Sequence, residues 1–274
     1  MIISVTAPRK GMGQTITAIN LSLFLSKMIG EASIIIDMNR YCRDIEYYLS
    51  NTDITKGLDD YYSLSESGLL TAENFKTCVK KVCDNIDIMA SNECFELGSS
   101  EIENLLTQIG SIYKIGIIDT ASSNTNAITR TVAGKSHIML AVVNQSRNIV
   151  QQMLKAPEIY NVKHMILVVN RYRKDVGYDI RDIKYDMQNA GFDAEVFPLN
   201  YDIDIINECN DHSILNYVLN NESGQKEYMA QLKALAEYIL EAAGIRSAVR
   251  KENEYRNIGI LKVLPILNAY FQKS

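Results

Sequence analysis

The chain has 274 residues, of which 47% are hydrophobic and 22% charged, enough apolar material for a substantial core and no match for a disordered or fibrous chain. With 33 acidic against 28 basic side chains the net charge is -5, which argues against a basic nucleic-acid coat. Five cysteines without a C-x-x-C pair read as reduced thiols of a cytosolic protein, and the opening Ile2-Ile3-Ser4-Val5-Thr6 carries no basic stretch of the kind a signal peptide needs.

Short apolar runs alternate with segments of helical period along the chain. Met1 to Thr6 predicts a strand, and Thr15 to Ile29 a helix with Ile16, Ile19 and Leu23 on its apolar side. Ala32 to Asp37 predicts a second buried strand, followed by a tyrosine-rich helix over Ile45 to Leu49 and a polar surface excursion with a short helix over Asn51 to Ser67. Phe75 to Val82 has a helical pattern, Ile86 to Ala90 a strand pattern and Glu101 to Ile109 a helical one. Ile115 to Asp119, Ile138 to Val143 and Met165 to Asn170 are dense in Ile and Val, as central strands covered on both faces require. Helices are expected over Asn148 to Lys155, Ile180 to Ala190 and Gln225 to Ala243, the last ending at a Gly244 cap. Strands spaced by helices predict a doubly wound α/β fold with a mainly parallel sheet, helices on both faces and right-handed crossovers, in one domain over residues 1 to 244. Residues 245 to 274 form a separate tail with six bases, two acids and an apolar end interrupted by Pro265.

Chemistry concentrates after the first strand, in Pro8-Arg9-Lys10-Gly11-Met12-Gly13-Gln14-Thr15. A glycine-containing turn between a strand and a helix lets backbone approach a phosphate and aims unpaired helix N–H groups at it. Against G-x-x-x-x-G-K-[ST], Gly13 and Thr15 fit, while Pro8 stands at the first glycine and Gln14 at the lysine. Two further strands end in a carboxylate, at Asp37 and at Asp119 of Ile115-Gly-Ile-Ile-Asp-Thr120. Strand ends in an open α/β sheet share the ligand-binding edge, where such carboxylates can hold Mg²⁺ through water or orient a nucleophile.

In this order and spacing the motifs resemble the MinD/ParA-type deviant Walker A ATPases, over roughly residues 1 to 243. Asp37-Met38-Asn39 stands for their D-x-D strand end, Ile117-Ile118-Asp119-Thr120 for their Walker B and Val168-Val169-Asn170-Arg171 for a strand ending in Asn. Val196-Phe197-Pro198-Leu199-Asn200 with Ile205 to Asp211 resembles their I-P-x-D segment and its trailing helix. The neutral residue at the Walker lysine, together with Asp37 to Tyr48, is most similar to the TadZ/CpaE-type pilus-assembly localisation proteins of that group.

The resemblance implies ATP and Mg²⁺ as ligands. Arg9, Lys10, Gly11, Met12, Gly13, Gln14, Thr15 and Ile16 would bind the nucleotide, with Gly11 through Thr15 holding its phosphates, and Arg9, at the signature lysine, would bridge to a second subunit. Thr15 would ligate Mg²⁺ directly and Asp119 through water, while Asp37 would activate water. Asn170 and Pro198 would meet the base. Losing the lysine affects the transition state more than binding, so hydrolysis is expected to be weak or absent. The implied protein is a cytoplasmic homodimer, possible at the inner face of the membrane through its basic tail, that positions a pilus or secretion machine through protein partners. Two other readings stay open: a scaffold binding no nucleotide, favoured by Pro8 and Gln14, and a partition-type ATPase on DNA, for which bases outside the tail are few. Asp44 and Glu46 read as a solvated acidic face, and His137, His164 and His212 as structural.

Overall fold

The computed structural model describes residues 1–39, 44–50, 56–91, 97–120, 127–221 and 226–245. Among them eight strands form one sheet: β1 (Ile2–Thr6), β2 (Ser33–Asp37), β3 (Lys80–Cys83), β4 (Ile86–Met89), β5 (Ile115–Asp119), β6 (Ile138–Asn144), β7 (Met165–Tyr172) and β8 (Glu195–Asn200). Their spatial order is β3-β4-β2-β5-β1-β6-β7-β8, parallel throughout except for β3 against β4. The expected doubly wound, mainly parallel sheet is therefore the architecture of the chain.

Helices cover both faces. Side-chain alternation along each strand divides the core: Ile3, Val5, Ile35 and Ile117 pack with α1 (Gln14–Ile29), while Ile2, Ile34, Ile36 and Ile118 pack on the other side. That second layer holds α3 (Leu58–Glu66), α4 (Ala72–Thr77) and α5 (Ser99–Ile112), reached from α2 (Asp44–Ser50). The remaining helices are α6 (Ala127–Lys135), α7 (Arg147–Leu154), α8 (Pro157–Tyr160), α9 (Ile180–Asn189), α10 (Ile203–Asn210), α11 (Ile214–Asn220) and α12 (Glu227–Ala242).

Helix α1 is buried on nearly all sides and not along one stripe, because α11 and α12 lie over the face that the sheet leaves open. Asn20 on α1 donates its amide N–H to the hydroxyl of Tyr228 on α12 at 2.8 Å, a buried bond that ties the two helices together. The predicted stop of α12 is present: Gly244 has φ of 65°, its N–H reaches Glu241 O, and the Ile245 N–H reaches Leu240 O. This pair of bonds is a Schellman motif, which a glycine at that position permits.

One element differs from expectation. The helical pattern over Phe75 to Val82 ends at Thr77, and Lys80–Cys83 pairs antiparallel with β4. Asp84-Asn85 forms a two-residue turn between them, and β-branched Val79 and Val82 suit an edge strand better than a helix end. The helix itself begins earlier, where the Thr71 hydroxyl accepts the Asn74 N–H at 3.1 Å. The tail from residue 246 onward and residues 40–43 of the segment after Asp37 lie outside the described residues. Among the described residues no helix is long and apolar enough to cross a membrane.

Candidate nucleotide site

Strand β1 lies between β5 and β6: the chain leaves β1 for β2 on one side and later crosses from β5 to β6 on the other, so the C-terminal end of β1 is the switch point of the sheet where ligands of such folds bind. The loop from Ala7 to Gly13 rises from this point into α1. Gly11 and Gly13 have φ of 84° and 85°, the left-handed region that a side chain resists. No side chain caps the N-terminus of α1 and no acidic residue occupies its first turn, which leaves its N–H groups directed at the loop. Arg9, Lys10 and Gly11 are exposed, Met12 and Gln14 are buried, and Gly13, Thr15 and Ile16 are half-buried.

Asn170, ending the apolar part of β7, closes the loop from one side. Its amide donates to the Met12 carbonyl at 2.9 Å, and a Cβ on Gly13 would sit 1.9 Å from the same nitrogen. Gly13→Ala must therefore displace Asn170 and also hold alanine in a left-handed conformation. The two costs sum to about 2 kcal/mol, or a fall in thermal midpoint of roughly 4–8 °C for a chain of this size. An unchanged midpoint in thermal unfolding would refute this account of the loop. Pro198 pairs with Val169 on the edge strand β8, one rung before Asn170, where a missing N–H costs little.

Across the loop, Thr15 donates its hydroxyl to Asp119 Oδ2 at 2.7 Å. Asp37 and Asp119 are register partners on adjacent parallel strands, and both are buried, at 1% and 2% exposure. Burial pushes the Asp119 carboxyl up to about 7. Burial also raises Asp37 well above the carboxylate range, and the neighbouring Asp119 charge raises it further against the Asn39 and Ile45 N–H groups it accepts. The sequence-expected pair of strand-end acids thus shares one sheet edge with the Thr15 hydroxyl.

Gln14 departs most from a phosphate-binding lysine. Its Nε2 turns back towards the sheet, donating to Val5 O at 3.0 Å and closely to Asp119 Oδ1 and Thr120 O. An amide nitrogen has two hydrogens for these three acceptors, where an ammonium would have three. The hydrogen-bond partners of the Asp119 carboxylate among the described residues, Thr15 and Gln14, are both neutral. Two buried carboxylates and a hydroxyl, all hard oxygen donors, fit a divalent ion such as Mg²⁺, whose charge would compensate theirs.

Two residues near this edge escape sequence reading. Asn144 ends β6 as the register partner of Asn170, and its buried Oδ1 has no hydrogen-bond partner among the described residues. The signal existed, since both asparagines terminate apolar strands. Glu46, expected on a solvated face with Asp44, is instead buried at 4% exposure and paired with Lys80 of β3 at 3.1 Å. Asp44 is half-buried, with its carboxyl raised by burial and lowered by the charge of Lys10. Of the histidines, His137 accepts the Ile2 N–H and His212 meets the Tyr47 carbonyl at 2.6 Å, so both serve packing contacts.

No protein-family model and no curated protein sequence matches the chain. Solved structures do. A ParA family ATPase from Chlorobium tepidum superposes with a TM-score of 0.72 at 15% identity, covering 86% of this chain and 98% of that one. The septum site-determining protein MinD of Pyrococcus horikoshii, complexed with Mg-ADP, gives 0.70 at 16% identity over 89% and 97%. A chain of the MinC:MinD cell division protein complex of Aquifex aeolicus gives 0.71 at 15% identity over 88% and 95%. The chain therefore has the fold of the MinD and ParA ATPases over nearly their whole length.

Proposed function

We propose that the protein is a nucleotide-dependent switch of the MinD/ParA type that binds ATP with Mg²⁺ and hydrolyses it slowly or not at all. The observation that carries this reading is the Gly11 to Thr15 loop at the switch point, with Thr15 Oγ1 already 2.7 Å from Asp119. The loop N–H groups, the α1 dipole and the Thr15 hydroxyl take the phosphates, with Arg9 and Lys10 exposed above them. Thr15 and Asp119 hold Mg²⁺, which would neutralise charge on the phosphates. Asp37 accepts a proton from water if hydrolysis occurs, and its raised affinity for protons suits that task. Asn170 and Pro198 border the base, with Asn170 also keeping the loop in place.

The Mg-ADP of the Pyrococcus horikoshii structure and the MinC:MinD pairing of the Aquifex aeolicus structure support a nucleotide ligand and a protein partner. In our reading the chain forms a homodimer across the nucleotide through Arg9 and positions a pilus or secretion machine, as TadZ/CpaE-type proteins do. It works in the cytoplasm, with the tail reaching either a partner or the inner membrane surface. DNA is not a partner in this reading.

A second reading, a scaffold binding no nucleotide, is favoured by one observation: the Gln14 amide is wholly spent on the strand ends and Asp119. Calorimetric titration with ATP and Mg²⁺ separates the two. The switch predicts micromolar binding that weakens at least tenfold in Thr15→Ala, which removes the direct Mg²⁺ ligand together with one donor to Asp119 (about 1.4 kcal/mol per tenfold). No heat of binding by the wild type would leave the scaffold reading standing.

A further inference from the structure

A cleft of about 630 Å³ opens at the N-terminal edge of the sheet, opposite the phosphate loop, and it lies within the size range of small-molecule sites. Its walls come from the residues preceding β5, β6 and β7 and from the end of α12. Lys114, His137, Lys163 and His164 supply its polar side, Val162 and Ile245 part of its apolar side, and no carboxylate among the described residues lines it. His137 Nδ1 accepts the Ile2 N–H at 3.0 Å, so the ring proton sits on Nε2 and remains available as a donor.

The bland account is that these cations offset helix ends. Helices α6 and α12 both terminate here, each contributing about half a negative charge. Their sum is roughly -1 against two lysines, and the last α12 carbonyls are already capped by the Gly244 and Ile245 N–H groups. Glu31 stands 4.0 Å from Lys114 with both side chains about half exposed, a pair worth little in water. Lys163 has no acidic partner among the described residues. The cleft therefore keeps net positive charge beside an apolar wall.

We infer that this cleft is a second ligand site, for a small anion, a phosphate ester or similar group, carrying an apolar body. The lysines and the His137 Nε2–H receive the anionic head, and Val162 and Ile245 receive the body. Nothing in this assignment depends on whether the phosphate loop binds nucleotide.

The test exploits the presence of three histidines in the chain, two in the cleft and His212 elsewhere. The full-length protein, labelled at histidine carbon ε1, is titrated with phenyl phosphate while the three ring resonances are followed by NMR. Those of His137 and His164 are expected to shift together and saturate, with His212 unmoved and benzyl alcohol, the uncharged analogue, ineffective. The double variant Lys114→Ala/Lys163→Ala, at exposed positions, should weaken the effect about tenfold or more, and added salt should do likewise. The inference is overturned if the His137 and His164 resonances stay still, if His212 alone moves, or if the double variant binds as the wild type does.

Discussion

Asp119→Asn is expected to stabilise the protein strongly at pH 8 and hardly at all at pH 4. Burial pushes the native carboxyl up to about 7, against an ordinary unfolded value near 4, so its folded pKa is raised. Between those values the folded state holds the proton more tightly than the unfolded chain, and stability falls as pH rises through that window. Above pH 7 the full cost of an ionised, buried carboxylate is present, on the order of 3–4 kcal/mol for three pH units. Asparagine removes that charge at constant shape. Its Oδ1 can accept from Gln14 and its Nδ2 can donate to the Thr15 hydroxyl, so the network of the native site survives. Repulsion of Asp37 by its neighbour disappears as well.

The expected readout is a thermal midpoint raised by roughly 6–16 °C at pH 8, shrinking towards zero at pH 4. The same variant should lose Mg²⁺-dependent nucleotide binding, because an amide cannot compensate the ion. A protein that gains stability by losing a charge holds that charge for another purpose. Equal midpoints for wild type and variant at pH 8 would show that Asp119 is not ionised at a cost, and would remove the electrostatic argument for a divalent ion here.

How far the sequence carried these conclusions differs by element. Strands β1, β2, β4, β5 and β6 fall within a residue of their apolar runs, and β7 runs two residues past its own, because strands covered on both faces are continuous in Ile, Val and Leu and stop near where a polar loop begins. The loop, Asp37, Asp119 and Asn170 were legible for the same reason: each is the first residue past such a run. β3 was missed because a four-residue edge strand buries too little to leave a pattern, and its one cue was the Asp84-Asn85 turn. The burial of Glu46 could not be read, since it depends on Lys80 arriving from 34 positions away. Helices α6, α8 and α11 are short and take their stability from packing, which periodicity over a single turn or two does not report. Least legible was the direction of Gln14. A side chain at the lysine position could face phosphate or strand, and only the convergence of Val5 O, Thr120 O and Asp119 decides it.

Gln14→Lys should convert a poor hydrolase into a better one. The three acceptors around Gln14 Nε2 form a cradle with one more acceptor than an amide has hydrogens, and lysine supplies the third donor together with a charge beside Asp119. That charge lowers the Asp119 carboxyl, so the acid is ionised and ready for Mg²⁺ at neutral pH. A longer side chain can also leave the cradle and meet the β- and γ-phosphates, where charge develops in the transition state. One such preorganised contact is worth about 3 kcal/mol, on the order of a hundredfold in rate. Phosphate release at saturating ATP and Mg²⁺ is therefore expected to rise by roughly that factor, with a smaller gain in affinity because the loop N–H groups already bind the ground state. Brisk and equal turnover by both proteins would mean that Arg9 or Lys10 already does the work of the missing lysine, and the slow-hydrolysis reading would fall. Binding without turnover in both would locate the deficit at Asp37, since the loop would then be complete and the water unactivated.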